Sequence, residues 1–197
     1  NVTASDCNVK LNDAYWYGGG LYMTNGSTGA FTNCDFNSNT ATFGAGVTVL
    51  GTSTANFTDC GISYSTADEN GGGAYIESAQ VDFIGCTISN NYVNFYYGGG
   101  LYMERSDVTF TTCTISGNTS AGYEGGGCAI YAGTTVFDDC IISGNSTSDD
   151  GGGIYADAYS SIPSTVTLTG CAISSNSASY AGGGIEASDT HLTMIDC

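Results

Sequence analysis

Two residue types keep one beat along this chain, and that beat decides most of what it can fold into. Glycine triplets begin at Gly18, Gly71, Gly98, Gly125, Gly151 and Gly182, with Gly44-Ala45-Gly46 as a variant. Cysteines recur at Cys7, Cys34, Cys60, Cys86, Cys113, Cys140, Cys171 and Cys197, at intervals of 27, 26, 26, 27, 27, 31 and 26 residues. A fixed period of this length marks a stack of one supersecondary unit, because such a unit cannot bury its apolar face alone. The one long interval holds Ala158 to Ser164 and the only proline, Pro163. A surface loop there leaves the rest of that coil in register.

Within each copy the apolar residues alternate. Leu21-Tyr22-Met23, Val47-Thr48-Val49, Ala74-Tyr75-Ile76, Leu101-Tyr102-Met103 and Cys128-Ala129-Ile130 follow the glycines, apolar at first and third place. Period two means a strand with one buried face. Phe31, Phe57, Phe83, Phe110 and Phe137 each stand three residues before a periodic cysteine, with Leu168 and Met194 in the last two copies. Ile62, Ile88, Ile115, Ile142 and Ile173 stand two after one. Three short strands and three bends per copy predict a triangular coil, and about seven coils of 26–27 residues predict an all-β, single-stranded parallel β-helix. Coils about 4.8 Å apart place like residues over one another, giving a rod on the order of 34 Å long.

Asparagines test that stacking. Asn12, Asn39, Asn91, Asn118, Asn145 and Asn176 each lie five residues after a cysteine, and Ser65 is the exception. A buried column of amides bonds to itself above and below, which offsets the cost of burying them. Residues 1–197 read as one β-helix domain, a segment of a longer or polymerising solenoid.

Composition narrows the partners. Two basic residues face nineteen acids, for a net charge of −17. Nucleic acid is excluded, since binding it needs Lys and Arg to neutralise phosphate. Only 11% of residues are charged and 41% are hydrophobic, so the chain has a core rather than an acidic disordered tail. No apolar run approaches the length of a spanning helix. Nine cysteines, almost no lysine and abundant Ser, Thr, Asn and Gly point to an extracellular or cell-surface setting.

The Gly-Gly-Gly-apolar-Tyr strand followed by Phe-x-x-Cys-x-Ile-Ser-x-Asn resembles the right-handed parallel β-helix repeats of the pectate-lyase-like superfamily. Among these it is most similar to the repeats of chlamydial polymorphic membrane proteins, which carry Gly-Gly-Ala-Ile and Phe-x-x-Asn tetrapeptides. Here Gly99-Gly100-Leu101 and Gly152-Gly153-Ile154 stand for the first mark, while Cys113, not Asn, follows Phe110 by three. The resemblance spans the chain. It implies a right-handed helix and the surface, adhesive role of an autotransporter passenger.

The periodic cysteines leave two readings open: buried thiols, or disulfides between coils whose spacing suits the bond but whose parallel side chains do not. Cys128 takes a core position that elsewhere holds Leu, Val or Ile. Tyr22, Tyr75, Tyr102 and Tyr155 share one outward position, and with the bend aromatics Tyr15, Trp16, Tyr17, Phe95, Tyr96, Tyr97, Tyr123 and Tyr180 they are candidates for contact with glycans or another protomer. Glu77 with Glu104, and Glu124 with Asp150, pair on adjacent coils, and calcium is the cation such oxygens would hold. Asn25 and Asn56 are the outward glycosylation sequons, whereas Asn118 and Asn145 belong to the buried column.

Catalysis finds little support. Lyases of this fold pair acidic calcium sites with a basic residue, yet Lys10 and Arg105 are the only cations and His191 is alone. The leading expectation is therefore an extracellular structural or adhesive solenoid without a cofactor, partnered by itself end-to-end or laterally, or by cell-surface glycans or proteins. The alternatives are a polysaccharide lyase or glycoside hydrolase and, third, an ice-binding protein. For the last, Thr109/Thr111 and Thr167/Thr169 fit a Thr-x-Thr array that Asp82/Ile84 and Val136/Asp138 interrupt.

Overall fold

The computed structural model describes residues Asn1–Cys197. Its strands form sheets of 13, 6 and 7 strands that run along one axis. Each strand pairs in parallel with its equivalent one coil on, so Phe31 lies on Phe57, Phe57 on Phe83, Phe83 on Phe110 and Phe110 on Phe137. The chain has no helix long and apolar enough to cross a membrane.

Identity in register makes the core. The stacked phenylalanine rings lie 4.9, 5.1, 5.0 and 4.8 Å apart, tilted by no more than 13°. Ile62, Ile88, Ile115 and Ile142 stack likewise on the cysteine-side sheet and are fully buried. All nine cysteines are free thiols, and only Cys7 and Cys197 are exposed. The thiols of Cys60, Cys86, Cys113, Cys140 and Cys171 each donate to the carbonyl of the phenylalanine one coil earlier, as Cys86 does to Phe57 at 3.3 Å, Cys113 to Phe83 at 3.4 Å and Cys140 to Phe110 at 3.5 Å. A small apolar group with one weak donor suits this place, where the strand ends and a carbonyl turns inward.

The asparagine column forms as its spacing requires. The Asn118 amide donates to the Ile88 carbonyl at 3.0 Å and to Asn145 Oδ1 at 2.9 Å, while its own oxygen accepts from the backbone and amide of Asn91, both at 3.0 Å. Asn145 repeats the pattern, and Asn176 ends the column, its amide donating to the Ile142 carbonyl at 2.9 Å. Ser65 interrupts it. The serine oxygen accepts from the Asn39 backbone at 3.2 Å, but no amide reaches from it across to Asn91. Ser65→Asn is therefore expected to raise stability by about 1 kcal/mol. A calorimetric Tm a few degrees higher would show it; an unchanged or lower Tm would mean that Ile62, whose methyl fills part of this gap, cannot move aside.

One expectation is corrected. A coil has four strand segments rather than three, because a further short strand follows the asparagine: Thr40–Phe43, Thr66–Asn70, Tyr92–Val93, Thr119–Ser120, Ser146–Thr147 and Ser177–Ala178. These segments, from Thr119–Ser120 and Tyr92–Val93 to Thr66–Asn70, are two to five residues of mixed type and carry no alternation to read. The post-glycine and phenylalanine segments also share one sheet, and run together as single 11-residue strands at Leu101–Thr111 and Cys128–Asp138. Arg105 and Ala132, at φ 49° and 58°, kink those strands. The long interval is indeed a loop: Tyr159 and Ile162 close a small antiparallel bridge, and Gly133 pairs with Ser164 in unbroken register beyond it.

Candidate contact surface

The glycine triplets build the edge on which the polar and aromatic side chains gather. The first glycine of each takes a left-handed conformation, as Gly98 does at φ 70°, and turns the chain sharply. The turn lays the residue just before the triplet against the second residue after it. Tyr17 thus stacks on Tyr22 at 5.7 Å, and Tyr97 tilts against Tyr102 at 6.2 Å.

This geometry corrects the reading of the outward tyrosines. They do point away from the core, and Tyr75 and Tyr102 stack at 5.1 Å and 3°. However, Tyr75, Tyr102 and Tyr155 are buried, at 7%, 6% and 9% exposure, and only Tyr22 is open at 48%. Phe43 and Tyr17 cover Tyr75, while Tyr97 and Tyr131 cover Tyr102. Each buried hydroxyl donates to a carboxylate two residues on: Tyr75 to Glu77 at 3.0 Å, Tyr102 to Glu104 at 2.7 Å, Tyr155 to Asp157 at 3.3 Å. Burial first, then the neighbouring carboxylate, pushes these phenols well above their usual range. The free contact surface is instead the outer rim of the bends, where Tyr15, Trp16, Phe95, Tyr96, Tyr123 and Tyr180 are exposed.

The acid pairs take two different forms. Glu77 and Glu104 lie on one another across adjacent coils, as their spacing predicts. Arg105 bridges them: its guanidinium reaches Glu77 and lies 2.9 Å from Glu104. Its other face meets the ring of Tyr159 at 5.1 Å. Tyr159 belongs to the inserted loop, so that contact is invisible in the repeat. Glu124 and Asp150 have no such cation. They stand immediately before successive triplets, with Asp149, Asp157 and Glu186 close enough to act on them electrostatically. One oxygen of each of Glu124, Asp150 and Glu186 is buried without a hydrogen-bond donor.

Stability here has an uncommon pH sign. Burial first, then Asp149, Asp150 and Asp157, pushes the Glu124 carboxyl above its usual range; burial, then Asp150, Asp157 and Glu124, does the same to Glu186. A carboxyl raised on folding binds its proton more readily in the folded chain. Its contribution is complete below the unfolded value of about 4.3 and is lost as pH rises through the higher folded one. The Tm is expected to rise as pH falls from neutrality toward the unfolded value of about 4.3. Glu124→Gln should flatten that rise and lift the neutral-pH Tm. A Tm that drops over this window would contradict it.

The remaining candidates fall as follows. Asn25 is exposed in a turn and Asn56 is exposed on the outer face of its strand, whereas Asn118 and Asn145 are fully buried. Asn39 and Asn91 are likewise buried, and Asn176 is half-buried at the last of the paired amides. On the outer face of the phenylalanine strands, Thr109 sits between Asp82 and Val136, so the threonine array is broken in space as in sequence.

Parallel coils in register, an internal asparagine column and a glycine-turned edge define a β-solenoid repeat protein. The family model for right-handed β-helix regions matches residues 45–197, and the chain belongs to that family. Comparison with curated proteins and with solved structures gave no match.

Proposed function

We propose that this chain is an extracellular structural or adhesive solenoid that works through surface contact rather than catalysis. The exposed run of Tyr15, Trp16, Phe95, Tyr96, Tyr123 and Tyr180 along one edge is the observation that carries this reading. Solvated bends do not need large aromatic rings, and rings gathered on one edge are contact material. The side chains that a lyase would need are engaged otherwise. Arg105, the base candidate, is held between Glu77 and Glu104, and the carboxylates Glu104 and Asp157 accept from tyrosines. The outward sequons Asn25 and Asn56 suit a secreted glycoprotein.

Electron microscopy of the purified protein, with an assay for binding to cell surfaces, tests the proposal. Filaments, lateral bundles or saturable surface binding are expected. Isolated rods that bind nothing, together with release of unsaturated or reducing sugar from acidic polysaccharide, would replace it with a carbohydrate-active enzyme. Loss of that release in Arg105→Ala would then assign the base.

A further inference from the structure

We propose that the glycine-bend edge of the later coils docks a lysine- and arginine-rich segment of a partner protein. This rests on reading the edge as a contact surface and adds the partner's chemistry. Tyr96, Tyr123, Asp149 and Tyr180 occupy one position on four successive coils, tied by backbone bonds from Tyr123 to Tyr96 and from Tyr180 to Asp149. The Tyr96 and Tyr123 rings stack at 5.8 Å, and both are more than two-fifths exposed, while Tyr180 is 85% exposed. Behind them stand Glu124 and Asp150.

Three features of this edge ask for a cation. The chain is strongly acidic, at −17, and its only cations are Lys10, on the cysteine-side sheet, and Arg105. No internal group neutralises the half-buried carboxylates here: Glu124, Asp150 and Glu186 each keep one oxygen buried without a donor. The molecule also holds its own precedent nearby: Arg105 fills the place between Glu77 and Glu104 with its guanidinium against a tyrosine ring. The bend edge of the later coils also sets tyrosine rings beside carboxylates, at a different position of the repeat and with no arginine among them. A guanidinium or ammonium from outside would gain ion pairing and cation–π contact together, each stronger as water leaves. A neutral glycan would use the rings and leave the acids unpaired.

The test is titration of the intact protein with a labelled octa-arginine peptide and, separately, with a neutral chitin oligosaccharide, at physiological salt. Tyr96→Ser with Tyr123→Ser changes exposed side chains, and independently Asp149→Asn changes a half-buried one without altering its size; thermal melts verify that both variants fold. Each is expected to weaken peptide binding by about tenfold or more, equivalent to about 1.4 kcal/mol. Asp59→Asn with Asp139→Asn, exposed at the bend before the cysteines, is the control for bulk charge and should change it little. Equal weakening by the control pair would overturn the proposal, as would unchanged binding in the edge variants. Binding of the oligosaccharide but not the peptide would overturn it while leaving the contact-surface reading intact. Binding of neither would overturn the proposal, while the contact-surface reading stands or falls by the microscopy and cell-surface assay.

Discussion

Gly100→Ala is expected to be among the most destabilising single methyl additions this protein can receive. A Cβ at Gly100 would lie 2.5 Å from the Gly127 carbonyl oxygen and 3.0 Å from the Asn118 side chain. The first obstacle is backbone in the next coil, and the second belongs to the asparagine column. Neither yields cheaply, because the backbone of each coil is bonded to the coils on either side. The third triplet position is glycine in every copy, at Gly20, Gly46, Gly73, Gly100, Gly127, Gly153 and Gly184. The second position is not: Ala45 stands there in one coil, fully buried, so the two places differ in tolerance. A loss of about 3 kcal/mol or more is expected, at the upper end of what overpacking costs, because the obstacle is bonded backbone. Thermal unfolding by circular dichroism checks it, and a Tm within a few degrees of the parent would refute the steric account.

Asn118→Ala comes next. The side chain gives two hydrogen bonds and accepts two, all in the interior. Its removal strands the Asn91 backbone N–H and part of the Asn91 amide away from water, and each orphaned group costs about 1–3 kcal/mol. The expected loss is about 3–5 kcal/mol. Asn12→Ala is the contrast. It deletes one amide bond to Asn39, at 3.1 Å, on an exposed residue, and should cost under about 1 kcal/mol. If both variants melt alike, the column stabilises nothing as a network.

The legible part of this molecule is whatever stacks on its own copy. Phe83 over Phe57, Asn118 over Asn91 and the inner cysteines leave marks at a constant interval because a layered interior accepts the same side chain in each layer. Glu77 over Glu104 is readable for the same reason, but nothing in the repeat marks Arg105 as the bridge between them. What escaped depends on a bend rather than on a layer. Alternation places Tyr75 and Tyr102 on the outer face correctly, but only the turn at the glycines brings Phe43 and Tyr97 down over them. Tyr159 reaches Arg105 from an insertion that follows no period, and Tyr92–Val93 is a strand too short to alternate. Asp157 and Glu186 joined Glu124 and Asp150 from different positions of the repeat, so no single column announced them.

The ladder bonds of every sheet link one coil to the next, and so run along the length of the rod. Tension applied between its two ends therefore loads those bonds directly, a layer at a time, rather than shearing many at once. Under traction the molecule would yield by unwinding from an extremity, each turn of 26–27 residues releasing roughly 90 Å of slack while the layers beneath keep their shape. A tether built this way lengthens under load in even steps and holds its remaining grip at each pause.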